Sequence, residues 1–88
     1  MITKQIIIQN MLGLHTRAAA KLAALASQFD SQIQLIHNNQ TADCKSIMSL
    51  VLLGVKKGAT LDLTVFGPDE VQACDAIVTL INNKFDES

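Results

Sequence analysis

The stretch Met11-Leu12-Gly13-Leu14-His15-Thr16-Arg17-Ala18 puts an imidazole and a guanidinium two positions apart, where a loop becomes a helix. The first backbone N–H groups of a helix have no intrahelical partner, so a helix start is a ready anion site. Here those donors would come from Thr16, Arg17 and Ala18. An imidazole that is neutral at cell pH is nucleophilic and can attack a phosphoryl group. The arginine can fork onto phosphate oxygens through charge-assisted hydrogen bonds. The P–N bond so formed is high in energy, because a protonated imidazole leaves readily. A serine ester would be too stable to hand on. The chemistry suits a chain that carries a phosphoryl group, moved in line between two histidines, with the helix end and the arginine neutralising the equatorial oxygens.

The elements needed to hold that histidine can be read along the chain. Ile2 to Gln9 is β-rich, with Ile6 and Ile8 pointing one way and Ile7 the other. Asn10 to Leu14 is a loop containing Gly13. Thr16 to Phe29 reads as a helix, with Ala19, Leu22, Ala23 and Ala26 at helical spacing and Phe29 closing the core at its end. Gln32 to His37 alternates as a strand, Asn38-Asn39 is a hairpin turn, and Gln40 to Asp43 returns. Ser46 is a good N-cap for a short helix over 47–53, which Gly54 ends. Leu50 and Leu53 are its expected core residues. A turn at Lys57-Gly58 leads to a strand over Thr60 to Phe66.

Gly67-Pro68 then stops the strand, with Pro68 just before or at the first helical residue. Asp69-Glu70 suits the positive end of the last helix. Val71, Cys74, Ile77, Val78 and Ile81 form its apolar stripe, widened by Ala73, Ala76 and Leu80. Asn82 to Ser88 is expected to fray, with Phe85 able to fold back onto the core. The order β-α-β-β-α-β-α predicts a two-layer α+β domain: a four-stranded antiparallel sheet with three helices on one face.

The global numbers set limits on this reading. Eighty-eight residues, 49% of them apolar, predict one domain, residues 1–88, with a modest core of Leu, Ile, Val and Ala. So small a core leaves no substrate-sized interior cavity, so chemistry belongs on the surface or in a cleft shared with a partner. A net charge of -1, with no basic block and no aromatic platform, argues against nucleic acid as the main partner. No signal-like segment or membrane-length apolar run is visible, so a cytoplasmic chain without membrane insertion is expected. Cys44 and Cys74 lack metal spacing and read as structural thiols. No cofactor and no metal is expected, and the chain is expected to be a monomer.

Three segments in order resemble a known family. Gly13-Leu14-His15-Thr16-Arg17-Ala18-Ala19 is similar to the Gly-Leu-His-x-Arg-Pro-Ala signature of HPr, the histidine-containing phosphocarrier of the bacterial phosphotransferase system. Lys45-Ser46-Ile47-Met48 with Gly54, and Gly67-Pro68-Asp69-Glu70, resemble its second and third segments. The ending Asn83-Lys84-Phe85-Asp86-Glu87, with Gly67-Pro68, resembles the nitrogen-related branch, NPr. The resemblance covers essentially the whole chain. It implies an open-faced β-sandwich and a carrier rather than a free-standing turnover enzyme. Enzyme I, or its nitrogen-related paralogue, would pass phosphate from phosphoenolpyruvate to Nδ1 of His15. An EIIA-type protein would then receive it. Arg17 matches the accompanying arginine.

The resemblance also reverses the ordinary readings of these two residues. A histidine at a helix start alone is a cap or a surface group, and an arginine there is solvated. His37 has no such neighbours and reads as a surface histidine. Ala18 stands where the family has proline. In the first helical turn proline costs little, so alanine should loosen the loop modestly and add one N–H donor. Ser46 matches a serine that the kinase HprK/P phosphorylates in some members, and such a charge would sit at a helix start. The partner face implied by the resemblance comprises Thr16, Ala20, Lys21, Lys45, Ile47, Met48 and Val51. Three alternatives stay open at this point: a sugar-system HPr, a binding module that no longer transfers phosphate, and a small phosphatase. The last lacks a clear acid or metal cluster.

Overall fold

A computed structural model describes residues 1–87. It contains, in order, β1 (Ile2–Ile7), α1 (Thr16–Ala26), β2 (Gln32–His37), β3 (Gln40–Asp43), α2 (Ile47–Leu52), β4 (Thr60–Phe66) and α3 (Glu70–Asn82), followed by a single 3₁₀ turn, Lys84–Asp86. The four strands form one antiparallel sheet in the order β1-β4-β2-β3. This is the expected open-faced β-sandwich.

Alternation along the strands sets the buried face. Ile6, Ile33, Leu35, Ala42, Leu61, Leu63 and Val65 turn inward, while Ile7, Gln5 and Asp62 face water. The register pairs Ile6 with Leu61 and Leu35 with Leu63, so large apolar side chains lie opposite one another. Ala18, Ala19, Leu22, Ala23 and Ala26 of α1 and Ala73, Cys74, Ile77 and Ile81 of α3 cover this face. The alanines on both helices allow a close approach to the sheet. Leu50 and Leu53 complete the core beneath α2, as expected.

Several expectations need correction. The first helix ends at Ala26, not Phe29. Beyond it the amides of Gln28 and Phe29 donate three residues back, to Leu25 and Ala26, so the chain tightens into turns. Leu53 caps α2 rather than extending it. Val71 is exposed and does not belong to the α3 stripe. Asp69 is the N-cap of α3, but its carboxylate does not cap. It reaches across to the start of β2, accepting from the amides of Asp30 and Ser31, each at 2.9 Å, and from the Ser31 hydroxyl. Pro68 lies one residue before that cap. Asn83 to Glu87 does not fray: Phe85 is fully buried in the core. The part of that expectation falling on Ser88 lies outside the described residues.

Both cysteines are buried and unpaired. Burial, then the Asp43 charge, pushes the Cys44 thiol up to about 12, so it packs as a small apolar group. His37 is half-buried rather than a freely solvated surface group, with Nδ1 3.3 Å from the Thr60 carbonyl.

Candidate functional site

The site is built where β1 leads into α1. Ile8 is held by its amide donating to Ala59 O at 2.9 Å, and the chain then turns through Asn10 to Gly13. Gly13 has φ +66°, and a Cβ there would stand 2.6 Å from the Val55 carbonyl and 2.7 Å from the Lys56 Cα. Only glycine allows this backbone to lie against the segment after α2. Leu14 then donates to Val55 O at 3.1 Å and buries its side chain.

His15 follows in extended conformation as the N-cap of α1, and its carbonyl accepts from Ala19 N at 2.8 Å. Its own side chain does not cap the helix. Thr16, Arg17 and Ala18 are therefore the first three helical residues, whose N–H groups have no carbonyl to reach within the helix. Ala18 is fully buried, so the helix starts cleanly with alanine at the proline position and the expected loosening is not seen. The Arg17 side chain is exposed and makes no hydrogen bond among the described residues.

The imidazole is three-quarters covered and is gripped on one side. Its Nε2 lies 2.9 and 3.1 Å from the two carboxylate oxygens of Glu87. The same carboxylate accepts from Asn10 Nδ2 at 2.8 Å, and that amide also donates to Gly13 O at 2.6 Å. The Asn10 bond holds the Glu87 carboxyl below its ordinary range; partial burial opposes this, and His15 and Arg17 add to it. Nδ1 makes no hydrogen bond with any described residue. The geometry thus leaves one ring nitrogen open beside a helix start and an arginine.

Asn10 and Glu87 are absent from the sequence reading. Asn10 is fully buried, and its Oδ1 has no hydrogen-bond partner among the described residues. Turning the amide over would aim that oxygen at two other acceptors, Gly13 O and Glu87, so its orientation is fixed. A lone Phe85 within a polar ending was the signal that the tail docks.

Among the residues expected at a partner face, Ile47 and Met48 are exposed and Thr16 faces water. Ala20 and Val51 are half-buried. The two lysines are used within the fold: Lys21 Nζ donates to Phe85 O at 2.9 Å and Lys45 Nζ to Phe29 O at 2.7 Å. Met11, Leu12 and Leu52 are exposed apolar groups that the sequence reading did not single out. Ser46 caps α2 as expected, its hydroxyl accepting from Ser49 N at 3.2 Å. An open groove of about 510 Å³ lies elsewhere, between α1 and α3, lined by Leu25, Ala76 and Leu80 among others. Among the described residues, no three metal-ligating side chains come together, and no helix is long and apolar enough to cross a membrane.

Residues 2–83 match the family described as PTS HPr component phosphorylation site. This chain belongs to the HPr family. It is 45% identical over 99% of its length to the phosphocarrier protein HPr of Cupriavidus necator, covering 98% of that protein. It is 44% identical over 97% of its length to the phosphocarrier protein NPr of Shewanella violacea, covering 93% of that protein. A crystal structure of HPr-C-His from Thermoanaerobacter tengcongensis superposes with a TM-score of 0.95 at 42% identity, covering 100% of this chain and 99% of that one. Proteins of this family are phosphocarriers that work through a phosphohistidine rather than by free-standing turnover. HPr-type phosphocarrier function follows for this chain.

Proposed function

We infer that His15 is the phosphoryl carrier, taking the group on Nδ1 from an Enzyme I-type phosphohistidine and passing it to a histidine of an EIIA-type protein. The observation that carries this reading is the ring itself: an N-cap imidazole with Nε2 engaged by Glu87 and Nδ1 unbonded. The amides of Thr16, Arg17 and Ala18 and the Arg17 guanidinium can balance phosphate charge as it arrives and leaves. Exposed Ile47 and Met48, with Met11 and Leu12, offer short apolar side chains for the dry centre of a transient interface. Incubation with Enzyme I and phosphoenolpyruvate should attach one acid-labile phosphoryl group, lost with His15→Ala. Label that survives His15→Ala contradicts this assignment.

The ending Phe85-Asp86-Glu87, together with Gly67-Pro68, supports the nitrogen-related branch over the sugar system. Phosphoryl transfer from the nitrogen-related Enzyme I paralogue should then exceed transfer from the sugar-system Enzyme I. The reverse preference assigns the chain to sugar uptake.

A further inference from the structure

Glu87 stands 72 residues from His15 in the chain, yet its carboxylate is the ring's hydrogen-bond partner. Several ties bring it there. Phe85 is fully buried and anchors the tail. Lys21 Nζ donates to the Phe85 carbonyl at 2.9 Å. Lys84, Phe85 and Asp86 all take positive φ, of 57°, 55° and 61°, and Glu87 N closes the turn onto Lys84 O at 3.0 Å. Three successive non-glycine residues in that region are costly, and a tail resting loosely on the surface would not hold them. Asn10, itself fully buried, then fixes the carboxylate from the other side.

A carboxylate accepts hydrogen bonds and donates none. The ring nitrogen facing it therefore carries the proton, and in the neutral imidazole the other nitrogen keeps its lone pair. We propose that Glu87 is a positioning residue for phosphoryl transfer: held by Asn10, it accepts from Nε2–H of His15 and keeps the Nδ1 lone pair open to the incoming group. This rests on the assignment of Nδ1 as the phosphoryl acceptor.

The step balances without moving a proton on His15. The Nδ1 lone pair forms the new N–P bond as the donor histidine's N–P bond breaks, and that electron pair returns to the donor ring. The His15 ring then bears both the phosphoryl group and the Nε2 proton and is cationic. Glu87 faces this charge from the side opposite the phosphate. On transfer to the acceptor, the pair of the N–P bond returns to Nδ1 and the ring is neutral again, still protonated on Nε2.

The test compares the full chain with Glu87→Ala and Glu87→Gln. Initial rates of phosphorylation by Enzyme I and phosphoenolpyruvate are measured, and ring ¹⁵N shifts at about pH 8, where free imidazole is neutral, report which nitrogen carries the proton. Glu87→Ala should slow transfer roughly tenfold through lost orientation and raise the Nδ1–H fraction. Glu87→Gln should recover part of the rate, since its amide oxygen still accepts from Nε2–H. An unchanged or faster rate in Glu87→Ala overturns the proposal. So does an unsubstituted chain whose ring is protonated on Nδ1, a measurement that needs no variant to fold. Absence of label on His15 in the unsubstituted chain sinks the carrier assignment and this role with it. Normal labelling there, matched by Glu87→Ala, removes only the positioning role.

Discussion

At the scale of single residues, carboxylates do the long-range joining. Asp69 reads in sequence as a helix-start residue, and it is the N-cap of α3. Its charge nevertheless serves the start of β2, with the Ser31 hydroxyl, the Asp30 amide and the Ser31 amide all lowering its pKa. A folded-state pKa below the unfolded one stabilises the protein above the unfolded value, about 3.9 for aspartate, and the gain is lost as pH falls through the folded value. Asp69→Ala should therefore unfold at a lower temperature than the unsubstituted chain at neutral pH, and the gap should narrow below about pH 4. Thermal unfolding across that range checks it; a gap of constant size would mean that the carboxylate charge is not responsible. The side chains of His15 and Arg17 were legible because their types and spacing are local. Asn10 and Glu87 were not, because their roles depend on distant pairings that spacing does not encode.

At the scale of elements, periodicity carried most of the fold. Strands β1, β2 and β4 alternate apolar and polar residues, and Asn38-Asn39 turns with φ of 49° and 66° as that pair permits. The error at the end of α1 has a local cause. Ser27 and Gln28 can continue a helix, and nothing in their chemistry marks the point where bonds shorten to three residues. Gly13 connects element to site. Gly13→Ala meets both a positive φ and backbone at 2.6 Å, and should cost about 2 kcal/mol or more in urea unfolding. It should also slow phosphorylation, since His15 follows two residues later. Gly58→Ala meets no atom within 4 Å and should carry only the conformational cost, about 1 kcal/mol. Equal losses at the two glycines would argue against the close packing of the His15 loop.

At the scale of the whole molecule, the tail closes the structure over the site. Phe85 is the largest fully buried side chain and lies only two residues before Glu87. Phe85→Ala should cost about 3 kcal/mol as a cavity-forming core change and should slow phosphorylation by freeing Glu87. A stability loss without any change in rate would separate the two. Six polar residues surround this phenylalanine between Asn82 and Glu87, which is why the ending reads as frayed when the strand and helix periods are the only guide.

The claim beneath all of this is that one open ring nitrogen carries the phosphoryl group. Phosphorus NMR of the ¹⁵N-labelled phosphoprotein, formed with Enzyme I and phosphoenolpyruvate, tests it directly. A single phosphorus coupled to Nδ1 of His15 is the predicted spectrum. Coupling to Nε2, or to a ring nitrogen of His37, would contradict it.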